Sequence, residues 1–164
     1  MLGAAPARAQ LPGVPGINPF SFGVEAGPAF PVGAFGDLAK TGFTADALLD
    51  VRLPVLPVGL RFEGGYAGFG AKAGGDSPHV ISGTANVVLR ASPVALSLVR
   101  PYLIAGLGVY NQNRGVGTSG GFNVGGGLSV PLVAVTAFAD VRYTHVFNPG
   151  VKTNYVPLRV GVRF

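Results

Sequence analysis

Only two imidazoles are available for general acid–base work, His79 and His145. Serine hydrolysis needs a hydroxyl, an imidazole and a carboxylate within hydrogen-bond reach. No serine lies within two residues of His145, which reads as an interfacial residue. His79 falls in a stretch, GAKAGGDSPH, that reads as a loop. Two histidines alone are a weak metal-ligand set. Cysteine is absent, which excludes disulfide scaffolds, zinc ribbons and thiol catalysis. The runs Gly106-Leu107-Gly108 and Gly125-Gly126-Gly127 are not followed by a helical pattern, so they fail as phosphate cradles. They read instead as bending and close backbone approach in curved strands. No catalytic residue, metal or cofactor is assigned on these grounds. What remains is the chemistry of arginine and carboxylate.

Those charges sit in a chain that has few of them. It has 164 residues, of which 48% are apolar and 12% charged, about half the ~25% charged content of a soluble domain. The mean hydropathy is +0.46. Such a composition excludes disorder, which needs low hydrophobicity and high charge, and suits a solvated surface poorly. The net charge of +5 comes from only 12 Lys+Arg, too sparse for a nucleic-acid footprint. The longest uncharged run, Gly115 to Ala139, is 25 residues long but carries seven glycines and a proline, a poor helix. In lipid only helices and closed barrels satisfy the backbone, so a membrane-embedded chain of this kind is a barrel.

From Phe20 onward the dominant period is two, the strand period. Eight strands of about ten residues, the length of a tilted membrane strand, are expected at 20–30, 43–53, 58–69, 80–91, 101–111, 121–130, 133–145 and 155–164. Long and short connections alternate between them, which suits a barrel with short periplasmic turns and both chain ends in the periplasm. Residues 1–9, with Ala7-Arg8-Ala9 before Gln10, fit a signal-peptide remnant behind a start codon placed too late. Residues 10–19 form a Pro/Gly-rich periplasmic lead-in, and 20–164 the barrel.

Alternation alone leaves open which face is inside, and the charges decide it. The polar strand faces carry Glu25, Asp46, Asp50, Glu63 and Asp140 with Arg52, Arg61, Arg90, Arg142, Arg159 and Arg163. All six bases there are arginine, whose planar fork pairs carboxylates bidentately. The three lysines, Lys40, Lys72 and Lys152, fall in the expected outer loops, as does Arg114. A nearly neutral arginine–carboxylate network is what a filled lumen requires. The reading is therefore polar face in, apolar face out. Pairing Leu53 with Val58 places Asp50 opposite Arg61, so Arg61→Ala is expected to strand Asp50. Pairing Val130 with Val133 places Gly125 opposite Phe138, an inward ring that plugs the lumen.

The chain ends in YVPLRVGVRF, with Val160, Val162 and Phe164 at alternate positions. This resembles the C-terminal signal that the barrel-assembly machinery reads in bacterial outer-membrane proteins. RPYLIAGLGVY at 100–110 resembles a segment of the small OmpX/OmpA-like, opacity-type barrels. The resemblance covers 20–164 and implies an eight-stranded, antiparallel, up-and-down, all-β transmembrane barrel with a polar filled interior. It departs from that pattern in having no Trp, so any aromatic girdle must use Tyr and Phe. The fourth connection is also long for a periplasmic turn.

The expected role is an outer-membrane barrel that is structural or meets partners at the cell surface, without catalysis. Its expected partners are outer-membrane lipid, lipopolysaccharide (through Lys40, Lys72, Arg114 and Lys152) and the assembly machinery, with a monomeric state. Two alternatives remain at this stage. One is a narrow gated channel. The other is a soluble periplasmic barrel whose apolar face lines a cavity for a hydrophobic ligand.

Overall fold

Segments that alternate with period two satisfy their backbone by pairing, and eight such segments can pair in a ring. The computed structural model describes residues 19–53, 56–72, 74, 76–91, 98–113, 117–150 and 152–164. Its strands are β1 (Phe20–Val32), β2 (Ala39–Arg52), β3 (Val58–Ala71), β4 (His79–Arg90), β5 (Arg100–Gln112), β6 (Gly117–Pro131), β7 (Thr136–Val146) and β8 (Thr153–Arg163). A five-residue helix, α1 (Ala34–Leu38), sits between β1 and β2. Every strand pairs antiparallel with its sequence neighbours, and β1 pairs with β8 to close the barrel. The seam is sealed to the last residue: Phe22 and Phe164 exchange backbone hydrogen bonds of 3.0 and 2.8 Å. Both described ends lie at one rim, called here the near rim; α1 lies at the far rim.

The faces fall as the charges require. Phe22, Leu103, Leu107 and Val160 point outward and are more than half exposed, while Asp50 and Arg61 are wholly buried in the lumen. This overturns the soluble alternative, in which the apolar face would line a cavity.

Three expectations are corrected. The strands run further than the alternation suggested, so the far-rim connections shrink to 33–38, 72–78, 113–116 and 147–152. The near-rim connections, 53–57, 91–99 and 132–135, are no shorter as a group, and the expected alternation of lengths is absent. Small residues such as Gly117, Thr118 and Gly120 carry no alternating signal, yet their backbones still join the ladder. Lys40 consequently stands in β2 and His79 at the start of β4, not in loops.

Strand β7 begins at Thr136 rather than at 133. A tight turn closes with Leu132 N–H donating to Val135 O at 2.7 Å, leaving Val133 fully exposed at its tip. Ser129 therefore faces Phe138, and Gly125 faces Arg142. The error was four residues, an even number, so every side chain kept its expected face and parity could not reveal the slip. Asp50 does face Arg61 across β2 and β3. Residues 1–18, Arg114 and residues 92–97 of the fourth connection lie outside the described residues.

Candidate functional site

The lumen is layered. At its centre Arg142 (β7) forms a fork on Glu63 (β3), with Nη1 and Nη2 at 2.7 and 2.8 Å from its two oxygens. The same guanidinium reaches Asp140 through Nε at 3.1 Å and Nη2 at 2.9 Å, and Glu25 at 3.4 Å. Arg159 (β8) joins Glu25 at 2.9 Å, Asp46 at 3.3 Å and Asp140 at 3.3 Å. Glu25 and Asp46 stand directly opposite each other on β1 and β2. Like charges so placed repel, and Arg159 bridges them. Neutral groups complete the layer. Tyr102 OH donates to Asp140 at 2.8 Å, Thr84 OH to Glu63 at 3.1 Å, and Asn86 Nδ2 to Glu63 at 3.1 Å.

Glycines make room for these long side chains. Gly125 and Gly127 on β6 face Arg142 and Asp140, and a Cβ at Gly127 would run into the Tyr102 ring and Asp140. The glycine run thus clears space inside a crowded barrel, as the sequence reading of close approach implied.

Toward the near rim, Arg61 grips Asp50 through Nε at 3.0 Å and Nη2 at 3.2 Å. Asp50 is shared: Arg90 lies at 3.3 Å, and Arg163 hydrogen-bonds it as well. Arg61→Ala would therefore not strand Asp50, contrary to expectation. Phe138 is buried beside two guanidinium groups, with Arg61 at 5.1 Å and Arg163 at 5.2 Å from its ring centre. It fills the lumen as expected, but its small partner is Gly161 on β8, not Gly125. Leu48, Val88, Tyr102 and Ile104 pack with it.

Toward the far rim the lumen turns apolar, which the sequence reading missed. Phe35 of α1 packs edge-on against Phe69 at 5.1 Å, and Phe69 against Tyr155 at 5.4 Å. Ala29, Ala67, Val80, Tyr110 and Val146 complete the plug. Above it, Gln112, Asn148 and Thr153 hydrogen-bond one another at 2.7–3.3 Å. Between the plug and the central ionic layer lies a cavity of about 20 Å³ bordered by Thr44 and Asn123, room for a single water. Thr44 Oγ1 and Asn123 Oδ1 are buried without a protein partner.

All eleven residues expected in the lumen point into it. Ten of them meet in ion pairs, while Arg52 stands at the near rim beside Arg90 and Arg163. Missed was Arg100, which faces the same rim; Thr84, Asn86, Asn123 and Tyr102 stand on the polar faces that alternation turns inward, and the structure adds their hydrogen bonds. Arg100 was recoverable, since it continues the inward parity of Tyr102 by one step.

The histidines face outward. His79 stacks on Tyr66 at 6.0 Å, with Phe43 beyond at 5.8 Å from Tyr66. His145 packs against Phe122 at 5.3 Å and Phe147 at 5.2 Å, and its Nδ1 hydrogen-bonds Asn154 at 2.6 Å. These two clusters belong to a girdle of Phe, Tyr and His at the far-rim end; Phe20, Phe22 and Phe164 point outward at the near-rim end. The lysines are solvent-facing, and Lys72 Nζ donates to Gly36 O of α1 at 2.5 Å. Val160, Val162 and Phe164 lie on the outer face of β8.

No protein-family model matches the chain, and no curated protein sequence does. Solved structures do. Neisserial surface protein A is similar with a TM-score of 0.70 and 25% identity, over 89% of this chain and 96% of that one. The protein folds as a small bacterial outer-membrane β-barrel. Its fold also recurs in the N-terminal barrel of OprF from Pseudomonas aeruginosa (TM-score 0.54, 18% identity, 88% and 97% covered). The outer-membrane enzyme PagL shares it too (TM-score 0.55, 17% identity, 88% and 98% covered). The aromatic girdle and outward apolar face of this barrel are the surfaces that lipid covers.

Proposed function

We propose that this outer-membrane barrel is a closed, non-catalytic scaffold that presents its far rim at the cell surface, with its chain ends in the periplasm. The observation that carries this reading is the filled lumen. Phe138 with its guanidinium contacts, a buried arginine–carboxylate layer and an aromatic plug under α1 follow one another along the axis. Eight strands leave room for little more than their own side chains. The outward, aromatic setting of both histidines supports a girdle role for them. Lys40, Lys72 and Lys152 at the far rim suit the phosphates of lipopolysaccharide, and Val160, Val162 and Phe164 suit edge recognition during assembly. Planar-bilayer recording tests the closed lumen. Silent bilayers at ±100 mV are expected, and discrete, reproducible steps would establish the gated-channel reading. Incubation with lipopolysaccharide and mass spectrometry of its lipid part tests the absence of catalysis, with an unchanged mass expected.

A further inference from the structure

The near rim holds a charge imbalance that the centre lacks. Arg52 (β2), Arg90 (β4), Arg100 (β5) and Arg163 (β8) all turn inward around a cavity of about 240 Å³, with Ser129 and Thr136 on its wall. Arg61 lies just beneath. The four rim arginines have one carboxylate among the described residues, Asp50, which serves Arg90 and Arg163 and is also gripped by Arg61. Among the described residues no carboxylate comes within ion-pair distance of Arg52 or Arg100. One guanidinium nitrogen here, Arg163 Nε, is buried without a hydrogen-bond partner, and the Arg163 side chain is only 4% exposed. Buried charged donors are ordinarily satisfied.

We propose that this mouth is an anion site for a phosphate-bearing group. Guanidinium forks match the tetrahedral oxyanion bidentately, and converging forks at a low-dielectric mouth reinforce one another. The cavity is smaller than the ~300–1,000 Å³ of sites for drug-sized ligands, which suits a compact oxyanion. Its source is either a soluble phosphate or the headgroup of a lipid at the rim.

The test uses the full barrel in neutral detergent micelles, with inorganic pyrophosphate followed by ³¹P NMR at constant ionic strength. Saturable broadening is expected with the parent. The double variant Arg52→Gln/Arg100→Gln, which leaves the central network intact, should weaken binding at least tenfold. Removing two charges at the far rim, Lys40→Gln/Lys152→Gln, should leave it within twofold. No binding by the parent, or equal weakening in both double variants, would overturn the proposal. In nanodiscs, loss of pyrophosphate binding when phosphatidylglycerol replaces phosphatidylcholine assigns the site to a lipid headgroup. Unchanged binding assigns it to a soluble anion.

Discussion

Arg142 touches three carboxylates from three strands and makes five hydrogen bonds to them, more than any other described lumen side chain, so its removal is expected to be the most costly truncation there. Breaking a buried pair costs about 3–5 kcal/mol, and Arg142→Ala is expected at or above that range. Arg61→Ala should cost less, because Asp50 keeps Arg90 and Arg163. Lys72→Ala, at the surface, should stay within about 0.5 kcal/mol. Urea unfolding in lipid vesicles, followed by circular dichroism, checks this order; a lower midpoint for Arg61→Ala than for Arg142→Ala would refute it. Gly161 makes a different point. A Cβ there would stand 2.5 Å from both Phe138 Cζ and the Val24 carbonyl oxygen. One of those neighbours is backbone and cannot swing aside, so Gly161→Ala should lose about 1–3 kcal/mol by overpacking. A midpoint equal to the parent's would show that the packing around Phe138 has slack.

At the scale of elements, α1 does what a strand cannot, turning a side chain back down the barrel axis. Phe35 is its only buried residue and meets Phe69 in the plug. Phe35→Ala is expected to lower the unfolding midpoint, with about 3–5 kcal/mol as the usual cost of such a truncation. It should nevertheless leave planar bilayers silent, because the ionic layer beneath is untouched. Steps in that variant alone would place the barrier in the plug rather than in the network. No alternation announces this helix, and five residues are too few for a helical period, so PVGAFGDLAKTG read as a loop. The strands were legible because one face must meet lipid and the other the lumen. In β2, Leu49 and Val51 against Asp46, Asp50 and Arg52 leave only one assignment. Their ends were not legible, because rim glycines and threonines pair without patterning. Nor was the four-residue slip between β6 and β7, since register is set by turn geometry that PLVAV does not encode. The site was half legible. Charged members declared themselves by type, whereas alternation turned Asn86 and Thr84 inward without naming their partners.

At the scale of the whole molecule, the barrel inverts a water-soluble protein: hydrocarbon covers the apolar face, and ion pairs make the core. Enrichment in an isolated outer-membrane fraction is expected, with a band that changes mobility on mild SDS gels after boiling. Recovery in the soluble periplasm without that change would refute the inside-out arrangement. The seam between β1 and β8 adds a consequence in time. Glu25 comes from the first strand, while its partners Arg142 and Arg159 come from the last two, 117 residues away in the case of Arg142. Until the sheet's edges meet, Glu25 and Asp46 are adjacent carboxylates with no counter-ion. Exposing them to hydrocarbon in that state is costly. The charges therefore penalise any intermediate that enters lipid as an open sheet, and they favour curling before dehydration. The arginines that hold the finished wall also act as a checkpoint on the order in which it is built.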